Sequence, residues 1–228
     1  MLGQIVYRTG ERGRPVPEAS KLHGLSVMRV ALSPDGFWAE RRLKQTGRLF
    51  SRRGCRRVLV PKGFDRWDIL GRYGLRRVEP TAFLRAHTAK LILAALAREG
   101  MRAERCAVAL RSDQVQRELV LAAEELCPRV RDICISAPMG GENLCQRLRW
   151  EYGIAVRPDW DQVEGAVRLH AETAAGGGVV LRLFSSELDL GGVSVTASEI
   201  SGEETEYLPL LAALWESGRL TSQKLEFT

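Results

Sequence analysis

The stretch from Cys106 to Pro158, CAVALRSDQVQRELVLAAEELCPRVRDICISAPMGGENLCQRLRWEYGIAVRP, decides the fold class. Three short apolar runs, CAVAL (106–110), VRDICIS (130–136) and GIAVRP (153–158), alternate with two stretches of helical periodicity, DQVQRELVLAAEEL (113–126) and ENLCQRLRWEY (142–152). Short strands separated by amphipathic helices favour a parallel sheet, because each crossover has to cover a sheet face. The expected fold is α/β, with a Rossmann-like, doubly wound parallel sheet in the carboxyl-terminal half.

Amino-terminal to this run, QIVYR and SVMRVAL read as strands joined by a long Gly/Pro-rich loop. Asp35-Gly36 opens a helix, FWAERRLKQTGRLF, whose buried stripe is read as Phe37, Leu43 and Phe50 with part of Trp38. RRVLVP is a strand ended by Pro61, DRWDILGRY a short helix and GLRRVEP an extended segment. Pro80-Thr81 starts a long helix, TAFLRAHTAKLILAALAREG, stopped by Gly100. Beyond residue 158, VEGAVRLH and GVVLRLF read as strands around AAGGG, LGGVSVTAS as another, and TEYLPLLAALWESG as a closing helix. The division expected is a smaller basic α/β segment over 1–80 and a Rossmann-like domain over 81–228, or the two packed as one compact unit.

RYGLRRVEP (72–80) echoes WEYGIAVRP (150–158). In each, a helix ends in Tyr, Gly and an apolar residue, the mark of a left-handed glycine with a hydrophobic residue tucked behind it. Gly74 and Gly153 are expected to carry the positive φ, so one turn serves twice.

Composition narrows the classes. With 45% hydrophobic residues in 228, the chain buries a core without covalent staples. No apolar run approaches the roughly 20 residues of a membrane span, and MLGQIVYRTGERGR lacks the apolar core of a secretory signal. A cytoplasmic protein without a membrane partner is expected. Five cysteines (Cys55, Cys106, Cys127, Cys134, Cys145) form no C-x-x-C pair and read as reduced, packed thiols. His23, His87 and His170 show no ligand spacing, so no metal is expected. Charge is uneven: residues 1–105 carry 23 Lys and Arg against 9 Asp and Glu, whereas 106–228 carry 11 against 19. That asymmetry suits an anionic partner for the first half, or attraction between the halves.

In doubly wound sheets ligands bind beyond the carboxyl ends of the strands, where helix starts offer unpaired N–H groups. Those ends are Arg111-Ser112-Asp113 and the segment from Ser136 to Asn143. Gly140-Gly141 would let a phosphate approach the helix at 142, while Ser112 and Asp113 also read as helix caps. The order and lengths over 105–158, with a second strand leading through a short polar loop into a helix, resemble the nucleotide-binding half of Rossmann-type dehydrogenases of the shikimate dehydrogenase kind. The resemblance covers about a quarter of the chain and implies a nucleotide-like ligand. The chain departs from that pattern at the glycines: ALRSDQVQREL has none between Leu110 and Leu121, so side chains occupy the space a pyrophosphate needs. The second strand ends in Ser136 rather than an acid, and no motif places a catalytic lysine and aspartate. The expected function is therefore binding of a small phosphorylated or nucleotide-like anion through Arg111, Ser112, Asp113, Ser136, Gly140 and Gly141, without an intact dehydrogenase site and with no cofactor assigned.

A second reading uses the arginines Arg41, Arg42, Arg48, Arg52 and Arg53, with Arg56 and Arg57, interleaved with Phe37, Trp38, Phe50 and Trp67. Arginine grips phosphates and aromatic rings stack on bases, which points to nucleic acid or another acidic partner, although no helix-turn-helix, KH, RRM or zinc-finger pattern accompanies them. A third is an enzyme using His170, or Asp159 and Asp161 around Trp160, as acid and base. His87 shares a face with Phe83 and Leu91 and reads as a core histidine; Cys134 and Cys145 read as packing.

Overall fold

The computed structural model describes residues 1–10, 13–158, 167–171, 180–184, 188–202 and 204–228. They form an α/β protein of two compact units, Met1–Pro80 with Ala197–Lys224, and Thr81–Thr196 with Leu225–Thr228.

The first unit begins with β1 (Leu2–Tyr7), β2 (Glu18–Leu22) and β3 (Leu25–Leu32). It continues through α1 (Ala39–Arg52), β4 (Arg57–Leu59), α2 (Trp67–Gly71) and β5 (Arg76–Arg77). The sheet order is β2-β3-β1-β4-β5. β2 and β3 form an antiparallel hairpin, and β3, β1, β4 and β5 run parallel. Strand order therefore reverses at β1: the chain lays β3 on one side of it, then crosses through α1 and lays β4 on the other.

Side chains alternate along a strand, so each face gathers every second residue. Ile5, Met28, Val30, Leu32, Val58 and Val60 share one core with Leu43 and Phe50 of α1 and Ile69 and Leu70 of α2. Phe50 packs against the sheet where Gly3 has no side chain; a Cβ there would lie 2.8 Å from its ring. Phe37 does not join this stripe and is 90% exposed, because the helix begins only at Ala39 and its 3.6-residue phase does not extend back to position 37.

In the second unit, the long helix expected after Pro80 is two, α3 (Thr81–Ala86) and α4 (Thr88–Arg98), broken at His87. The His87 N–H reaches Leu84 O at 3.0 Å, which frees the Phe83 carbonyl; the ring Nδ1–H then donates to it at 2.7 Å. The Thr88 hydroxyl likewise donates to Arg85 O at 2.8 Å. Side chains thus satisfy carbonyls that the interrupted ladder leaves open. His87 is buried, as a core histidine should be.

β6 (Cys106–Arg111), α5 (Arg117–Leu126), β7 (Asp132–Ser136), α6 (Gly141–Tyr152) and β8 (Ala155–Pro158) follow. The three strands run parallel in chain order. On the other edge of β6 lie β9 (Val167–Ala171) and β10 (Val180–Leu181), each antiparallel to its neighbour. The sheet is mixed, with its parallel part confined to β6–β8. β11 (Val195–Thr196) comes next.

The chain then returns to the first unit with Ala197–Lys224. α7 (Tyr207–Glu216) takes Pro209 in its first turn, where the missing N–H costs nothing. Gln4, on the sheet face opposite Ile5, donates to Thr205 Oγ1 at 3.1 Å; Arg29 pairs with Glu204, and the Glu206 N–H bonds Val60 O at 2.8 Å. The first sheet is thereby covered on both faces, by α1 and α2 on one and by the segment carrying α7 on the other. Finally β12 (Glu226–Phe227) pairs antiparallel with β11. Among the described residues no helix is long and apolar enough to cross a membrane.

Candidate functional site

The loops expected to hold an anion in the second unit are joined to each other. Past the β6–β7 ladder, the Ser112 N–H donates to Ser136 O at 3.0 Å and the Val115 N–H to Met139 O at 3.0 Å, with Gln114 and Met139 bridged in parallel. This pairing holds 112–116 out of the helix, so α5 starts at Arg117, four residues later than its periodicity suggests, and Ser112 and Asp113 cap nothing. Arg111 and Ser112 are buried, and Asp113 is exposed.

Gly140 does take a left-handed φ of 85° before α6, but the Gly141 N–H is engaged by Ala137 O at 3.1 Å. A groove of about 460 Å³ runs beside it, lined by Ser136, Pro138, Gly141, Glu142, Cys145 and Arg149 among others. Of the six residues read as an anion site, Ser136 and Gly141 meet here; Arg111, Ser112, Asp113 and Gly140 are not on its wall. The Glu142 carboxylate sits in the first helical turn, where it repels an anion, and the Arg149 guanidinium is bonded to Val156 O, with Nε at 2.9 Å. Burial pushes the Cys145 thiol up, so it stays protonated.

A second, smaller cavity lies in the first unit, at the carboxyl ends of its parallel strands. Tyr7 comes from the end of β1, Ser33 and Asp35 from the loop after β3, Ala39, Glu40 and Leu43 from the start of α1, and Asp65 and Arg66 from the loop after β4. Pro61 and Gly63 make that last loop turn: Gly63 has φ 79° and the Phe64 N–H closes on Pro61 O at 3.2 Å, which brings the two charged residues to the rim. The cavity encloses about 230 Å³. Leu32, Leu43, Phe64 and Ile69, all buried, form its apolar lining.

Its charge opposes that of its surroundings. Residues 1–80 hold 18 Lys and Arg against only 7 Asp and Glu, yet three of those acids, Asp35, Glu40 and Asp65, line this cavity. Glu40 pairs with Lys44, whose hydrogen bond and charge pull its carboxyl below the usual range. Arg66 Nε lies 3.6 Å from Asp65. Burial first, then Asp65, pushes the Tyr7 phenol up against the pull of Arg66. The Tyr7 hydroxyl therefore keeps its proton at neutral pH and remains a donor. Cavity and strand order coincide, for this is where β3 and β4 flank β1 and an open α/β sheet leaves its crevice. Sequence reading missed the site because its parts come from three separated strand ends; the one local signal was Asp35-Gly36, read only as a helix start.

Of the arginines, Arg41, Arg48, Arg52 and Arg53 are exposed, and Arg41 stacks over the Trp38 ring at 5.2 Å. Arg42 is buried on the core side of α1, its Nε directed at Trp38 O at 3.4 Å, and so leaves that set. His170 lies in β9 opposite Ala107. Asp159 and Asp161 fall outside the described residues. None of the five cysteines is in a disulfide, and burial raises Cys127 to about 11. Among the described residues no group of three or more His, Cys, Asp or Glu could hold a metal ion.

No protein-family model matches the chain. No curated protein matches it either. Five chains of solved structures match, among them one titled as the crystal structure of arylmalonate decarboxylase, with 12% identity, 69% of this chain and 86% of that chain covered, and a TM-score of 0.23. A likeness that slight carries no argument about fold or activity.

Proposed function

We propose that the first unit binds a small molecule that joins a positively charged nitrogen to an apolar body, in the cavity where its strand order reverses. The observation that carries this reading is the gathering of Asp35, Glu40 and Asp65 around an apolar lining within a strongly basic segment. Carboxylates attract an ammonium or guanidinium; Arg66 and the protonated Tyr7 leave room for an acceptor on the same ligand. At about 230 Å³ the cavity lies below the roughly 300–1,000 Å³ typical of drug-sized ligands, which points to a metabolite-sized occupant.

The test is a thermal-shift and calorimetric titration with benzylamine, putrescine and arginine beside ATP and NADP, on the unaltered chain and on Asp35→Asn and Asp65→Asn. An amine at a hundred times its dissociation constant should stabilise by about 2.7 kcal/mol. Each substitution should weaken binding about tenfold, the cost of one charge-assisted hydrogen bond. Amines without effect, or amine binding indifferent to both substitutions, would sink the reading.

A second reading keeps the second unit as a Rossmann-like carrier of a phosphorylated ligand. It is favoured by the groove that Ser136 and Gly141 share at the start of α6. A shift with ATP or NADP that Gly141→Asp abolishes would support it; an unchanged nucleotide shift in that variant would end it.

A further inference from the structure

Helix α1 carries a row of arginines on the side away from its core. At 3.6 residues per turn, Arg41, Arg48 and Arg52 fall within about 20° of one direction and span about 17 Å along the axis. The buried residues Leu43, Thr46, Gly47 and Phe50 lie on the opposite side. Arg53 and Arg56, past the helix end, are also exposed. Among the described residues none of Arg41, Arg48, Arg52, Arg53 and Arg56 is ion-paired, whereas Arg57 next to them pairs with Glu216. Unpaired guanidinium groups in one line repel one another, and an anion laid along them relieves that repulsion.

At the amino-terminal end of the row stand two aromatic rings. Phe37 is 90% and Trp38 53% exposed, packed edge to face at 5.0 Å, and Arg41 already lies over the Trp38 ring. An acidic peptide or an anionic membrane would match the arginines alone; a nucleic acid presents phosphates together with flat π surfaces. Unstacked bases are free to meet such rings, which favours a single strand over a duplex.

We infer that the exposed face of α1 binds single-stranded nucleic acid, with Arg41, Arg48 and Arg52 on successive phosphates and Phe37 and Trp38 stacking on bases at one end. This rests on residues other than the carboxylates of the cavity and stands apart from the reading given to it.

The experiment is fluorescence anisotropy of a labelled single-stranded RNA 12-mer with the full chain, from 50 to 300 mM salt. Three to five phosphate contacts give a slope of log K against log salt of about −2 to −3.5. The triple change of Arg41, Arg48 and Arg52 to Gln should leave the thermal midpoint in place, lower affinity more than tenfold at 50 mM and flatten the slope by about 2. Trp38→Ala should lower affinity about tenfold with the slope unchanged, since stacking involves no counterions. The inference is overturned by no binding at 50 mM, by a triple variant that binds as well as the parent, by indifference to Trp38→Ala, or by binding to phosphatidylserine vesicles without binding to RNA.

Discussion

The two sheets are built from the same parts and differ in the order of assembly. In the second unit β6, β7 and β8 are laid down one after another, and the loops beyond the carboxyl ends of β6 and β7 hydrogen-bond to each other. In the first unit the chain lays β3 and β4 on opposite sides of β1, and the loops beyond those ends part around a cavity. Consecutive parallel strands bring consecutive loops side by side, where they can continue the ladder. A reversal separates them. The unit with the more regular alternation of strands and helices is thus the one whose first two strand ends are tied together.

The comparison can be broken or sharpened by substitution. The largest effects should come from the cores: Phe50→Ala removes a fully buried ring from the first unit, and Leu148→Ala does the same for a fully buried side chain of the second. Losses of about 3–5 and 2–5 kcal/mol are expected, read by urea denaturation. Amide exchange should show each loss mainly in its own unit, and a loss spread evenly over both would end the description as two compact cores.

An intermediate effect tests what the units share. Gly74 and Gly153 adopt φ of 71° and 64° after α2 and α6, followed by Leu75, buried, and Ile154, partly so. Gly→Ala at either position should cost about 1–2 kcal/mol, and the two should agree closely. A large difference would show that one glycine serves more than the turn.

The smallest effects should have opposite signs. Burial holds the His87 imidazole below its ordinary 6.5, against the pull of the Phe83 carbonyl. Below pH 6.5 the unfolded chain takes up that proton first, so the contribution of His87 to the second unit is lost as pH falls toward the depressed value. Burial pushes the Glu206 carboxyl above 4.5, with Arg77 opposing. There the unfolded chain gives up its proton first, so the contribution to the first unit is present at lower pH and is lost as pH rises through the raised value. His87→Gln, whose amide can still donate to Phe83, should flatten the acid limb of a stability–pH curve, and Glu206→Gln the other. Identical curves for parent and variant would remove the assignment.

Local chemistry was legible in the sequence, and long-range pairing was not. The α/β class follows from alternation alone. Both Tyr-Gly turns follow from the conformation only glycine adopts easily, and Leu43 and Phe50 follow from a seven-residue spacing that returns to the same helix face. Phe37 was misplaced because it precedes the helix whose phase was applied to it. Residues 113–116 were read as helix from their own pattern, yet pairing with 136–139 keeps them out of it. Ser136 and Gly141 line one groove because one short loop joins them; Arg111 pairs with Ser136 across the ladder but stays off the groove. Asp35 and Asp65 could not be paired by any spacing rule, since only strand order brings their loops together.

The return of Ala197–Lys224 to the first unit sets a timetable for the nascent chain. Residues 1–80 leave the ribosome first, but the sheet face bearing Leu2, Gln4 and Val6 has no covering helix until all of Thr81–Thr196 and then α7 have been made. At roughly 5–20 residues per second, that interval is on the order of ten seconds. Throughout it, half of the first sheet is an apolar surface open to chaperones or to a neighbouring chain, so a fragment ending at Pro80 would remain permanently in a state the full protein only passes through.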